Sequence, residues 1–136
     1  MKKLFVSIAF LFISVGFSYG QEIKFETLEI DYGKIEKGSD GTREFYFTNS
    51  GNAPLLVQNA QGSCGCTVPT WPKEPVMPGE RSKISVKYDT QRVGAFTKSV
   101  TLTTNSKSNT STQLKITGDV KPEAQQDPNG EKSLIK

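Results

Sequence analysis

Two side chains in this 136-residue protein combine nucleophilic and metal-binding character in one short stretch. They are Cys64 and Cys66 in GSCGCTVP, separated by a single glycine and the only cysteines in the chain. A thiol pair at this spacing has three chemistries open to it. It can close into a local disulfide that shapes the chain, exchange with other thiols, or clip a soft metal such as Cu(I). Along an extended strand the two Cα atoms stand roughly 6.6–6.8 Å apart, at the outer limit of disulfide geometry. Pairing therefore requires a bend, which Gly65 permits. Cysteines this close cannot join two facing sheets, so oxidation links Cys64 to Cys66 or to another molecule.

Each chemistry makes its own demand on the neighbours. Exchange is helped by a lowered thiol pKa. The chain has no histidine, so Lys73 or a backbone amide would have to supply that effect. For Cu(I), both sulfurs of a strand share a face, and Met77 lies near enough in sequence to add a thioether. The metal reading is thus Cys64, Cys66 and Met77. Mixed Cys–His zinc sites are removed by the absent histidine. The base expectation is a structural pair with no cofactor, and the other two readings stay open.

Conventional catalysis has little to stand on. Ser–His–Asp and Cys–His arrangements are impossible without histidine. Glu22, Glu26, Glu29 and Asp31 gather near the start of the domain with no partner motif downstream. No glycine-rich phosphate loop is present. Asn109-Thr110-Ser111 matches a glycosylation sequon, read here as chance. The expectation is a protein that is not an enzyme.

The elements that position the cysteines have a period of two. Phe45 and Phe47 alternate with Glu44, Tyr46 and Thr48, and Ile84, Val86 and Tyr88 with Lys83, Ser85 and Lys87. Val100 and Leu102 alternate with threonines, and Leu114 and Ile116 with Gln113, Lys115 and Thr117. Such alternation marks strands with one buried face. Near the start, Ile23 and Phe25 are odd whereas Leu28 and Ile30 are even. A one-residue slip reverses every side chain, so a break near Glu26-Thr27 is expected, as in a first strand that changes sheets. With turns at GSDG, NSGN, PG and NSKSN, the pattern predicts an all-β, immunoglobulin-like antiparallel sandwich of about seven strands.

Pro69, Pro72, Pro75 and Pro78 recur every third residue, the polyproline II repeat. Proline cannot donate to a ladder, which places this segment at an edge or a crossover. Residues 63–78 are expected to form one end of the sandwich. Trp71 is either a cover over that end or a contact for a partner.

The chain opens MKKLFVSIAFLFISVGFSYGQ. Two lysines, an apolar run and small residues before Gln21 form a signal-peptide pattern, so export to the periplasm or the exterior is expected, with cleavage after Gly20. The apolar run falls short of the roughly 20 residues a span requires, leaving no membrane span after cleavage. Loss of Lys2 and Lys3 takes 17 basic residues to 15, against 14 acidic ones, for a mature net charge of +1. Acids and bases are interspersed, which argues against a nucleic-acid surface. The expected organisation is a leader at 1–20, a sandwich domain at 21–120 and a disordered polar tail at 121–136.

With these residues in hand the chain resembles domain-of-unknown-function family 1573, an immunoglobulin-like group of secreted bacterial proteins. The resemblance rests on FYFTNSGNAPL, CGCTVP, PGE, VKYDT, GAFTKSVTLTTN and LKITGDV, spread from Phe45 to Val120. Cys-Gly-Cys-Thr within an Asn-x-Gly…Pro-Gly-Glu frame is its specific part. The resemblance implies a sandwich similar to major-sperm-protein and Hydin-type domains, which mostly bind other proteins, and no established activity. The functional expectation is a binding module contacting another cell-envelope protein, with Trp71 and the Cys64–Cys66 loop at the contact. The rival is a thiol-redox or Cu(I) site on Cys-Gly-Cys.

Overall fold

The computed structural model describes residues 20–123. All regular structure in this range is strand: β1 (Ile23–Phe25), β2 (Glu29–Glu36), β3 (Thr42–Asn49), β4 (Val57–Gly62), β5 (Thr67–Thr70), β6 (Arg81–Tyr88), β7 (Gly94–Thr104) and β8 (Ser111–Lys121). One sheet has the order β1-β3-β6-β5 and the other β2-β8-β7-β4. The alternating residues close the space between them. Phe45, Phe47, Ile84 and Val86 face inward from the first sheet, and Val100, Leu102, Leu114 and Ile116 from the second, all essentially inaccessible. Burial of a side chain of this size contributes about 1.5–3 kcal/mol, which makes the seam between the sheets the main source of cohesion.

The slip near Glu26-Thr27 is the passage from one sheet to the other. Glu26 N still donates to Tyr46 O on β3, whereas Leu28 O already accepts from Lys115 N on β8. Two expectations change as a result. There are eight strands rather than about seven, because the first strand is split between the sheets. Nor is the sandwich wholly antiparallel: β2 enters the second sheet beside the last strand and runs parallel to β8, Glu29 opposite Lys115 and Glu36 opposite Lys121. The leader and tail fall outside the described residues, apart from Gly20 and residues 121–123. Of these, Lys121 still belongs to β8.

Tyr32 ties the two sheets together. From β2 its hydroxyl donates to Gly41 O (2.7 Å), just ahead of β3 in the opposite sheet. Its ring meets Phe96 edge-on at 5.3 Å, and Phe96 stacks on Tyr88 at 3.8 Å. Burial pushes the Tyr32 phenol up to about 12, partly offset by the Arg43 guanidinium over the ring. The unfolded phenol ionises near 10, so the native state holds this proton longer than the unfolded chain does. Its contribution is complete below about pH 10 and is lost between about pH 10 and pH 12. Tyr32→Phe should cost about 1 kcal/mol at pH 7 through the lost hydrogen bond. It should also flatten the alkaline fall in stability, measured by urea unfolding from neutral pH to above 11. An alkaline limb identical to wild type would show that Tyr32 does not control it.

Candidate functional site

The Cys-Gly-Cys stretch is the crossover from β4, an edge of the second sheet, to β5, an edge of the first. Gly62 lies opposite Val100. Ser63 N then donates to Ser99 O (2.8 Å), and Ser63 Oγ accepts from Ser99 N (3.2 Å). Past the turn, Cys66 O accepts from Asp89 N (2.9 Å) and Thr67 pairs with Tyr88. Within it, Cys64 O accepts from Thr67 N (3.2 Å).

Cys64 and Cys66 are joined by a disulfide with Cα atoms 5.3 Å apart. The bend has thus brought them inside the ordinary range. The two sulfurs are unequally placed. Cys66 is 7% exposed and belongs to the core, while Cys64 is half-buried at its margin. The Thr67 hydroxyl, itself buried, lies 3.8 Å from Cys64 Sγ and 3.7 Å from Cys66 Sγ. Loop closure over three residues amounts to only about 1.6 kcal/mol. The backbone bonds around the turn would hold it without the disulfide.

The glycine that matters to this turn is not the central one. Gly65 does not have positive φ, and a Cβ there would meet open space. A Cβ on Gly62 would stand 2.0 Å from Thr67 O and 3.2 Å from Cys64 O. The close approach of the departing strand to the returning one occurs at Gly62.

Residues 63–78 were expected at one end of the sandwich; they run the length of one flank instead. The reason is register. β5 is antiparallel to β6, with Thr67 opposite Tyr88 and Thr70 opposite Ser85, so the chain climbs away from the cysteines. It continues until Val76 exchanges hydrogen bonds with Leu55 (2.7 and 2.8 Å). Met77-Pro78-Gly79-Glu80 then turns into β6. Proline sits second, Gly79 has φ +80°, and Glu80 N donates to Met77 O (2.9 Å), the features of a type II turn.

This layout separates residues that sequence proximity had grouped. Met77 stands near the start of β6 and the cysteines near its end. Seven residue steps at about 3.3 Å each put these positions roughly 23 Å apart along the strand. Met77 therefore does not share a site with Cys64 and Cys66. Trp71 follows β5, half-buried against the core, with Lys73 Nζ 3.4 Å from its ring centre in a cation–π contact. Lys73 is engaged there rather than with the thiol pair, and Trp71 lies further along the flank than the Cys-Gly-Cys turn. Among the described residues no three His, Cys, Asp or Glu side chains converge as a metal site.

One residue near the turn was overlooked in the sequence. Lys98 shares the inward face of β7 with Phe96 and Val100, is half-buried, and adjoins the Ser99 that anchors Ser63. It is the cation that strand parity turns toward the interior beside the crossover. The signal was legible in GAFTKSV: a lysine at a position of the buried parity.

Comparison with solved structures gives likeness of fold. A Porphyromonas gingivalis W83 protein of unknown function superimposes with TM-score 0.68 at 12% identity, over 80% of this chain and 51% of that one. The ASH/PapD-like domain 7 of human CEP192 gives 0.60 at 9% identity, over 87% and 98% of the two chains. The Vibrio cholerae VesB protease gives 0.57 at 14%, over 73% and 31%. This chain thus spans about half of the first protein's length and less than a third of the protease's. No curated protein matches it in sequence. Residues 23–120 match the family model described as protein of unknown function DUF1573, covering nearly the whole sandwich, and the chain belongs to that family.

Proposed function

We propose that the protein is a non-enzymatic, exported binding module of the cell envelope, built on an immunoglobulin-like sandwich, that holds another envelope protein along the Thr67–Met77 flank. The carrying observation is the character of that flank. Val68 and Met77 are each more than half exposed, with the half-buried Trp71 between them. The backbone beneath them is pinned by β6 at one end and by the Leu55–Val76 bonds at the other. Apolar anchors on a fixed backbone lose little entropy on association. Pro69 on the edge strand β5 disfavours strand addition there, so side-chain contact is the mode proposed.

The near-neutral mature charge and the interspersed ion pairs, such as Arg81–Glu26 and Lys83–Glu44, support a protein partner over nucleic acid. The test is photo-crosslinking in the native host from position 68, compared with position 28 near the sheet switch. Position 68 should give a discrete adduct and position 28 none. Val68→Glu, at a side chain more than half exposed, and Trp71→Ala should each weaken capture of that partner by roughly tenfold or more. Undiminished capture by both variants would sink the reading.

A further inference from the structure

We infer that the Cys64–Cys66 disulfide is a thiol–disulfide exchange site, in which Cys64 is the sulfur attacked and Cys66 the one released. Three features of the turn support this. The disulfide is not what holds the chain: the Ser63–Ser99, Cys64–Thr67 and Cys66–Asp89 backbone bonds close the crossover independently. Opening the S–S bond therefore leaves both thiols in place, ready to close again. Access is one-sided. Gly65 is exposed with open space around it and Cys64 is half-buried, while Cys66 is in the core. A thiolate approaching from solvent meets Cys64 first, and access governs which sulfur is attacked.

The released sulfur also has stabilising neighbours. The Thr67 hydroxyl lies 3.7 Å from Cys66 Sγ and can donate to a thiolate there. Lys98 brings a positive charge to the inward face of β7 beside the Ser63 anchor. A nearby cation favours the thiolate form. Lys98 is proposed as a positioning residue for charge, not as a group that reacts.

The chemistry balances without a metal. An incoming thiolate forms a bond to Cys64 Sγ as the Cys64–Cys66 bond breaks, and its electron pair leaves on Cys66 Sγ. A second thiolate attacks the external sulfur of the mixed disulfide and frees Cys64. Two external thiols are oxidised to one disulfide, and their two protons end on Cys64 and Cys66. The co-reactant class is a thiol, either a small monothiol or a dithiol.

The test uses the full mature chain in native buffer, equilibrated against glutathione and, separately, dithiothreitol redox series. Alkylation and mass measurement then count the thiols. The proposal expects full, reversible reduction without denaturant and an unchanged circular-dichroism spectrum. Equilibration with both buffers assigns small thiols as sufficient; equilibration with dithiothreitol alone assigns a dithiol. Resistance to both, or reduction only as the spectrum is lost, would overturn it. Single variants report the asymmetry: Cys66→Ser should take up glutathione at Cys64 at least about tenfold faster than Cys64→Ser does at Cys66. Equal rates would overturn the assignment of roles. In the Cys64→Ser background, Lys98→Met should move the alkylation profile of Cys66 to higher pH and Lys98→Arg should restore it. An unmoved profile removes Lys98 from the site.

Discussion

Replacing Asn49 by alanine is expected to lower the stability of the protein by about 2–3 kcal/mol, from partly buried backbone groups left without partners and from the lost amide–carbonyl bonds. Asn49 is inaccessible to solvent at the end of β3. Its Nδ2 donates to Ala53 O (2.8 Å) and Val76 O (2.9 Å), and its Oδ1 accepts from Gly51 N (3.0 Å). Its main chain donates to Glu80 O and accepts from Gly79 N. One side chain thus joins the end of a strand, the following loop, the flank segment and the turn into β6. Alanine would leave Gly51 N and Ala53 O unpaired, while Val76 O would keep Leu55 N. Asn49→Asp separates shape from hydrogen bonding. A carboxylate there would face two carbonyls and carry a buried charge, so its pKa should rise. Asn49→Asp should then be less stable than Asn49→Ala at neutral pH and recover in acid as the group protonates. Urea midpoints for both variants at pH 7 and pH 4 measure this. A loss below about 1 kcal/mol for Asn49→Ala would mean that water replaces the amide and that the node does not organise this end of the sandwich.

The Asn-x-Gly…Pro-Gly-Glu frame is visible in the sequence, but its physical reason is not. Nothing local in NSGN or PGE says that they meet at one buried amide. Period two placed Phe45, Phe47, Ile84, Val86, Leu102 and Leu114 on the buried side, because alternation is a property of each strand alone. The parity slip at Glu26-Thr27 likewise marked the sheet switch. Pairing partners follow different logic. That β2 lies parallel to β8 depends on which edge the second sheet leaves open, and no residue of EIDYGKIE records it. The same holds for the flank: the prolines indicated an edge or crossover, yet only the β5–β6 register shows that Met77 ends far from the cysteines. Lys98 is the opposite case. Its parity is readable between Phe96 and Val100, but the flanking threonines and serines make the buried face of this strand hard to tell from the exposed one.

Gly62→Ala should be among the most damaging single substitutions in the chain, whereas Gly65→Ala, three residues away, should be nearly silent. The contrast runs against the sequence, where Gly65 sits between the cysteines and looks indispensable. An added methyl at position 62 would stand 2.0 Å from Thr67 O, a backbone atom that cannot rotate aside. Relief requires β4 and β5 to move apart. Thr67 is buried, pairs with Tyr88 and holds its hydroxyl near both sulfurs, so displacement spreads to β6 and to the disulfide turn. Overpacking of this kind costs about 3 kcal/mol where the neighbours are backbone. At Gly65 nothing lies within 4 Å and φ is ordinary, so alanine should change stability by about 0.5 kcal/mol or less. Urea unfolding with a common m value decides the matter. Comparable losses at the two positions would show that flexibility at Gly65, rather than close approach at Gly62, allows the chain to cross between the sheets.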